Sequence, residues 1–308
     1  MKIAVIGAGG VGGYFGGKLA NAGFDVTFIA RGKHLEAIKQ AGLKVKSRFG
    51  DFHVKPVNAT ADIKNINQAD LIIVSVKAWQ VKEIRDELAR RIQPDTIILP
   101  LQNGILAAEE LAERIDKKHI VGGLCRIFSK IESPGVIHHF GVEPTIVFGE
   151  LDKNRTSRVE KIKQVLDTAG ITSHISMDIE ADLWRKFIAI CAGGLMAVSR
   201  TTYGELRELQ ETRKMMVALL KEIYRISQKI GIDIENDFVD KTVAFFDSFP
   251  YESTTSLARD IWEGKPSEID YQNGTVVNLG KRYGIKTPVN EFIYTCIIPM
   301  ELKARRNS

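Results

Sequence analysis

Cysteine is scarce in this chain, with three in 308 residues, and the three stand far apart. Cys125, Cys191 and Cys296 make no CxxC pair, and each lies in an apolar stretch, so all three read as small buried hydrophobes. Their scarcity excludes a disulfide scaffold and fits a reducing cytoplasm. The six histidines form no ligand pattern. His138 and His139 are adjacent in a strand-like run, where neighbours point to opposite faces, so no metal site is expected. Long hydrophobic runs are missing too. Uncharged stretches such as Phe187 to Ser199 fall short of the ~18 residues that span a bilayer. Ile3 to Ile6 is too short for the core of a secretory signal, so neither a leader nor a membrane partner is expected. Charge of one sign is not concentrated anywhere. The net charge is +5, and the basic residues are dispersed apart from Lys303-Ala304-Arg305-Arg306, which reads as a solvated terminus. Without a basic stripe interleaved with aromatics, no nucleic-acid partner is expected. The composition that remains, 44% hydrophobic and 26% charged, is that of a soluble globular protein. Its mild positive excess suits an acidic small substrate and a phosphate-rich cofactor.

The strongest local signal is at the start. An apolar run, Ile3 to Ile6, leads into Gly7-Ala8-Gly9-Gly10-Val11-Gly12, and a helical stretch follows. A buried strand feeding such a turn suits a pyrophosphate: Gly7 for the tight turn, Gly9 for close backbone approach, Gly12 for helix–strand packing. The amides at the helix start then face the anion. A second apolar strand, Val26 to Ala30, follows. An NAD site usually has an acidic residue at its end, to hold the ribose hydroxyls. This chain has Arg31-Gly32-Lys33-His34 there, and no carboxylate until Glu36. Arg31 can pair bidentately with a 2′-phosphate, which favours NADP(H); the alternative is a solvated basic loop.

Strand and helix alternate through the first half. Leu43 to Lys46 and Phe52 to Val54 read as a hairpin, and Asp70 to Val76 and Thr96 to Leu101 as buried strands. Val81 to Ile92 has helical spacing, and a strand follows at Ile120 to Gly123. Two short strands, Val136 to Phe140 and Thr145 to Phe148, are expected with a turn at Gly141, then a helix from Thr156 to Ala169. From about Ile179 only helical patterns remain, beginning with Ile179 to Ala197. The pattern predicts an α/β fold, a Rossmann-like doubly wound parallel sheet over 1–177, followed by an all-α domain over 178–308.

Carbonyl reduction needs a hydride donor, a proton donor and a clamp for the substrate's far end. Lys186, in Trp184-Arg185-Lys186-Phe187, opens the long uncharged stretch. It is either a partly buried acid or a lysine snorkelling at a helix start. Lys77 and Asn103 follow strands at the expected crevice. Lys77 is either a phosphate or carbonyl contact or a solvated charge; Asn103 is either a ribose contact or part of a plain turn. Glu268 and Asp270 precede a helix, where they could cap it or bind a substrate hydroxyl. Phe245, Phe246 and Phe249 could serve a homodimer surface, although core packing is the simpler use.

Together, Gly7 to Gly12, Arg31, Val76-Lys77-Ala78-Trp79-Gln80, Gln102-Asn103-Gly104, Leu183-Trp184-Arg185-Lys186, Gly204-Glu205-Leu206 and Glu268-Ile269-Asp270-Tyr271-x-Asn273-Gly274 resemble the ketopantoate reductase family, in one register from residue 1 to about 300. The resemblance implies NADPH-dependent reduction of 2-dehydropantoate to (R)-pantoate, on the route to pantothenate and coenzyme A. It also implies roles. Lys186 is the proton donor, Glu268 binds the substrate's hydroxyl end and Ser256 its carboxylate. Arg31 contacts the 2′-phosphate, and Lys77, Gln80 and Asn103 lie on the cofactor side. Four pocket asparagines of the family are replaced, by Ile190, Gly194, Tyr203 and Ser253. Each unreplaced hydrogen bond to a buried substrate group would cost ~1–3 kcal/mol, unless Tyr203, Ser253 or Ser199 compensates. A paralogue reducing another small-molecule 2-oxo acid is therefore an alternative, as is a non-catalytic NADP(H) sensor.

Overall fold

Strands β1 (Lys2–Ile6), β6 (Leu71–Val74) and β7 (Ile97–Pro100) are apolar almost throughout, as strands covered on both faces must be. With β2 (Asp25–Ile29) and β5 (Asn58–Thr60) they form a parallel sheet in the order β5-β2-β1-β6-β7. Its register pairs Ile3 with both Val26 and Leu71. The direction of winding reverses between β1 and β6, the position where such sheets open a crevice at their carboxyl ends. The computed structural model describes residues 1–307. The chain forms two compact units, Met1–Gln102 with Leu106–Ile179, and Asn103–Ile105 with the segment from Glu180 onward.

In the first unit, β3 (Leu43–Ser47), β4 (Phe52–Val54), β8 (Gly122–Ser133), β9 (Val136–Gly149) and β10 (Thr172–Ile175) make a second, mixed sheet. Its order is β10-β9-β3-β4, with β8 antiparallel to β9. Helix α1 (Gly10–Asn21) lies between the two sheets. A Cβ on Gly16 would meet Phe28 and Val5 of the first sheet, and one on Gly13 would meet Ile137 of the second. The helix is buried nearly all round, so small residues on opposite faces set its distance from both sheets. The far face of the parallel sheet is covered by α3 (Gln80–Ala89) and α4 (Ala107–Ala112), whose Val81, Ile84, Leu88 and Leu111 join Ile72 and Val74 in one core. Helices α2 (Gly32–Ala41) and α5 (Ser157–Thr168) complete the unit through Leu35, Ile38, Val159 and Ile162.

The two strands expected around Gly141 are one continuous β9. The residues Gly141 to Pro144 bulge opposite Ile127, and pairing with β8 resumes on either side. Gly141 has φ +88°, which suits a bulge as well as a turn. The partner strand keeps the backbone groups on both sides of the bulge paired, which a turn signal read locally cannot show.

The second unit is helical: α6 (Ile179–Ile190), α7 (Ala192–Ser199), α8 (Tyr203–Glu208), α9 (Gln210–Lys229), α10 (Phe238–Asp247), α11 (Ser256–Trp262), α12 (Asn273–Tyr283) and α13 (Pro288–Arg306). The single helix expected from Ile179 to Ala197 is broken at Cys191. There the Gly194 N–H donates to the Cys191 carbonyl at 3.1 Å, and the same carbonyl accepts from Asn273 Nδ2 at 3.2 Å. Helix α7 is the centre of this unit and packs on α9, α11 and α13. Cys125 and Cys191 are buried as expected, but Cys296 is exposed on α13; its apolar sequence neighbours Ile293 and Ile297 take the inward face. Phe246 is core, whereas Phe245 is 57% exposed and stacks edge-on against Phe249. No described helix is long and apolar enough to cross a membrane, and no described cluster of His, Cys, Asp and Glu could hold a metal ion.

Candidate active site

The glycine loop sits at the end of β1, beside the reversal point. A Cβ on Gly7 would lie 2.8 Å from the Val76 amide, and Gly7 has φ +99°, so only glycine fits. A Cβ on Gly12 would collide with the Gly7 carbonyl and Ser75 Oγ. On Gly9 it would meet nothing within 4 Å. The protein's own packing therefore does not demand glycine there, and the open space leaves room for close approach of a ligand. Helix α1 has neither a side-chain cap nor an acidic residue in its first turn. Its leading amides, from Gly10, Val11 and Gly12, carry the helix's positive end. The loop can hold an anion such as a pyrophosphate.

Of the nucleotide-side residues expected from sequence, Arg31, Lys77 and Gln80 lie in this unit, and Asn103 groups with the helical one. Arg31 is exposed and is the N-cap of α2, the helix that follows β2. It makes no ion pair among the described residues, so its guanidinium is available to an incoming phosphate. After β6, Lys77 opens a turn whose backbone N–H donates to Gln80 Oε1 at 3.1 Å, while Gln80 N–H donates to the Lys77 carbonyl. Gln80 thus shapes the turn that presents Lys77. Gln102 stands in the sequence only as part of the Gln102-Asn103-Gly104 block, with no role of its own. Its amide donates to the Val74 and Val76 carbonyls, pinning the ends of β6 and β7 together.

In the helical unit, Lys186 stands two turns into α6, not at a helix start. It is half-buried, between the buried Trp184 and Phe187, whose rings meet edge-on at 5.5 Å. The adjacent cation, Arg185, points about 100° away around the helix. It is spent on Asp182 and Glu235, both at 3.1 Å. Glu268 is 6% exposed and accepts from Asn103 Nδ2 at 3.1 Å. The residues expected on the cofactor side and at the substrate hydroxyl are therefore in direct contact. Neither Glu268 nor Asp270 caps α12, whose N-cap is Gln272 without a side-chain bond.

The block around Glu268 is clamped by α13. Glu301 accepts from the Ser267 amide and hydroxyl, at 2.9 and 2.5 Å. Tyr294 donates to Asp270 at 2.8 Å, and burial with that bond pushes its phenol up to about 12. Asn273 donates to Asn290 Oδ1 at 2.9 Å and to the Cys191 carbonyl. One side chain thus links the segment carrying Glu268 to the end of the helix carrying Lys186. Glu222 closes the network: buried, it accepts from the Val289 and Asn290 amides and from Asn290 Nδ2. Three donors offset the desolvation of this carboxylate.

Ser256 is the exposed first residue of α11, beside the Thr255 cap. Ser253 is half-buried, and its carbonyl accepts from the Tyr203 amide at 2.9 Å. The Tyr203 ring is packed against Phe246 and Phe249, and burial pushes its phenol upward. Ile190 is half-buried one helical turn after Lys186, on the same face. At Gly194 a Cβ would collide with Asn273 Oδ1, so no larger residue fits while Asn273 holds its place. Sequence reading passed over Arg259, whose guanidinium donates to Thr254 and is held below its ordinary pKa by burial. Its spacing of three from Ser256 on one helix was the available signal.

Residues 3–153 match the family described as "Ketopantoate reductase PanE/ApbA", and 178–301 its C-terminal part. The 2-dehydropantoate 2-reductase of Pyrococcus abyssi is 33% identical over 303 residues, covering 96% of this chain and 97% of that one. An uncharacterized oxidoreductase of Bacillus subtilis, YkpB, is 31% identical over 295 residues, with coverage of 96% and 97%. Among solved structures, that of D-mandelate dehydrogenase with NADH and anilino(oxo)acetate superposes with a TM-score of 0.90, at 26% identity over 99% of both chains.

Proposed function

The chain belongs to the ketopantoate reductase family and is an oxidoreductase, and on that premise we propose that it uses NADPH to reduce 2-dehydropantoate to (R)-pantoate. The observation that carries this reading is the joint anchoring, within one unit, of an amine-bearing helix and a clamped carboxylate through Asn273. The nicotinamide, when bound, supplies the hydride. Lys186 gives its proton to the ketone oxygen as charge develops there. Glu268, oriented by Asn103, accepts from the substrate's hydroxyl, and Ser256 with Ser253 hydrogen-bonds its carboxylate. Tyr203 supports Ser253 through the backbone. Residues 1–177 hold the nucleotide: the loop from Gly7 through Ala8, Gly9, Gly10 and Val11 to Gly12 faces the pyrophosphate, Arg31 the 2′-phosphate, and Lys77 with Gln80 the cofactor's remaining polar groups. Residues 178–308 hold the substrate. Purified protein should oxidise NADPH when given 2-dehydropantoate. Lys186→Ala should lower kcat by about 10²-fold or more, with the Kd for NADPH unchanged. Wild-type protein that leaves 2-dehydropantoate untouched refutes the substrate assignment.

A second reading, reduction of a 2-oxo acid with an apolar substituent, is favoured by Ile190 beside Lys186 and by the likeness to D-mandelate dehydrogenase. Comparing kcat/KM for phenyl- and alkyl-substituted 2-oxo acids with that for 2-dehydropantoate decides between the two.

A further inference from the structure

A loop that offers its amides to an anion must turn its carbonyls away, and each of those carbonyls then needs its own donor. In the glycine loop three successive carbonyls are accounted for. Gly7 accepts from Ser75 Oγ at 2.9 Å, and Gly9 from the Gly13 amide at 2.7 Å. Between them, the Ala8 carbonyl has His34 Nε2 at 2.9 Å. The tautomer is settled by the other ring nitrogen: the Gly135 amide donates to His34 Nδ1 at 3.1 Å, so Nδ1 is the acceptor and Nε2 carries the proton. The ring is therefore held at both ends, by the glycine loop and by the β8–β9 turn. It also lies three residues after Arg31, in the first turn of α2.

We propose that His34 is a positioning residue for the dinucleotide. By donating to Ala8 it holds the loop carbonyl away from the anion, and it ties the pyrophosphate loop to the segment bearing Arg31. This rests on the reading of that loop as a dinucleotide site. The two sides of the ring can be replaced separately. Gln at 34 returns a donor near the Nε2 position, and Asn returns an acceptor near the Nδ1 position.

The test titrates NADPH into wild type, His34→Ala, His34→Gln and His34→Asn by calorimetry, with thermal midpoints measured alongside. His34→Ala should raise the Kd about tenfold, the order expected for one buried acceptor losing its donor. His34→Gln should recover most of the affinity, and His34→Asn should recover thermal stability without it. With a substrate in hand, the Ala variant should raise the KM for NADPH and leave kcat at saturation unchanged. If wild type binds NADPH and His34→Ala binds within twofold of it, the positioning role is wrong while the dinucleotide site stands. Equal rescue by Gln and Asn would reduce His34 to a fold-stabilising residue. Wild type that binds no NADPH overturns the dinucleotide reading and this inference with it. Should the Ala variant fail to fold, the Gln-against-Asn comparison decides alone.

Discussion

Asn273→Ala removes the one side chain that joins the Glu268 segment to the end of α6. In the wild type its amide donates to the Cys191 carbonyl at 3.2 Å and to Asn290 Oδ1 at 2.9 Å, and the residue is fully buried. Each acceptor left without its donor costs ~1–3 kcal/mol. The first loss is softened, because the Cys191 carbonyl keeps the Gly194 amide; Asn290 Oδ1 loses the donor it has from Asn273. Asn273 Oδ1 has no partner, so its removal costs nothing. The lower half of the range applies to the first and the full range to the second, about 2–5 kcal/mol in all, which most of the ordinary range of domain stability, ~5–15 kcal/mol, survives. Trp184 and Trp262 lie in the helical unit and Trp79 in the other. In a Trp79→Phe background, urea denaturation followed by tryptophan fluorescence therefore reports the helical unit alone. The linear extrapolation should show the stated loss. Turnover should fall, since the end of the Lys186 helix is released, while NADPH affinity should not. A loss below about 1 kcal/mol, or one accompanied by weaker NADPH binding, refutes the linking role.

Arg31→Asp should invert or abolish any preference for NADPH over NADH, because a carboxylate repels the 2′-phosphate and suits ribose hydroxyls; an unchanged ratio of kcat/KM values removes Arg31 from cofactor choice. Gly12→Ala, whose new methyl collides with the Gly7 carbonyl and Ser75 Oγ, should weaken NADPH binding by at least tenfold or prevent folding of the unit, as overpacking against backbone costs ~1–3 kcal/mol or more; near-normal binding would show that the loop has room. Burial lowers the pKa of His34 and His139 below the ordinary 6.5. A histidine kept neutral by the fold takes its proton more readily when unfolded, so stability is full above pH 6.5 and declines as pH falls below it. Thermal midpoints should fall over that window, and a His34→Asn, His139→Asn double variant should flatten the fall; an unflattened profile assigns it to other groups.

Much of the first unit was legible because its signals are local. A strand, a glycine turn and a helix lie within the first twenty residues, and Gly7 and Gly12 answer constraints from a neighbour a few residues away or one strand across. The helical half was legible as helices, from periodicity, but the break at Cys191 was not. The carbonyl at the break is bound by Asn273, eighty-two residues later in the chain. The long β9 was divided in reading because Gly141 is a sound turn signal, and only the partner strand β8 shows that it is a bulge. Cys296 was misplaced because its neighbours are apolar; which face of α13 is buried is set by what packs on it. Glu268 and Asp270 looked alike as carboxylates before a helix. Asn103 claims one and Tyr294 the other.

By itself the sequence determined the class of each half, the glycine loop, the cation at Arg31 and the short roster of groups able to do carbonyl chemistry. These rest on spacing and residue type, which act over one or two turns of chain. Only the tertiary structure decided that Asn103 bears on Glu268, that Asn273 joins two segments of the helical unit, and that His34 holds the Ala8 carbonyl. Each is a hydrogen bond between groups distant in sequence. Its partner is chosen by packing and by the cost of leaving a buried polar group unpaired, which no local pattern records.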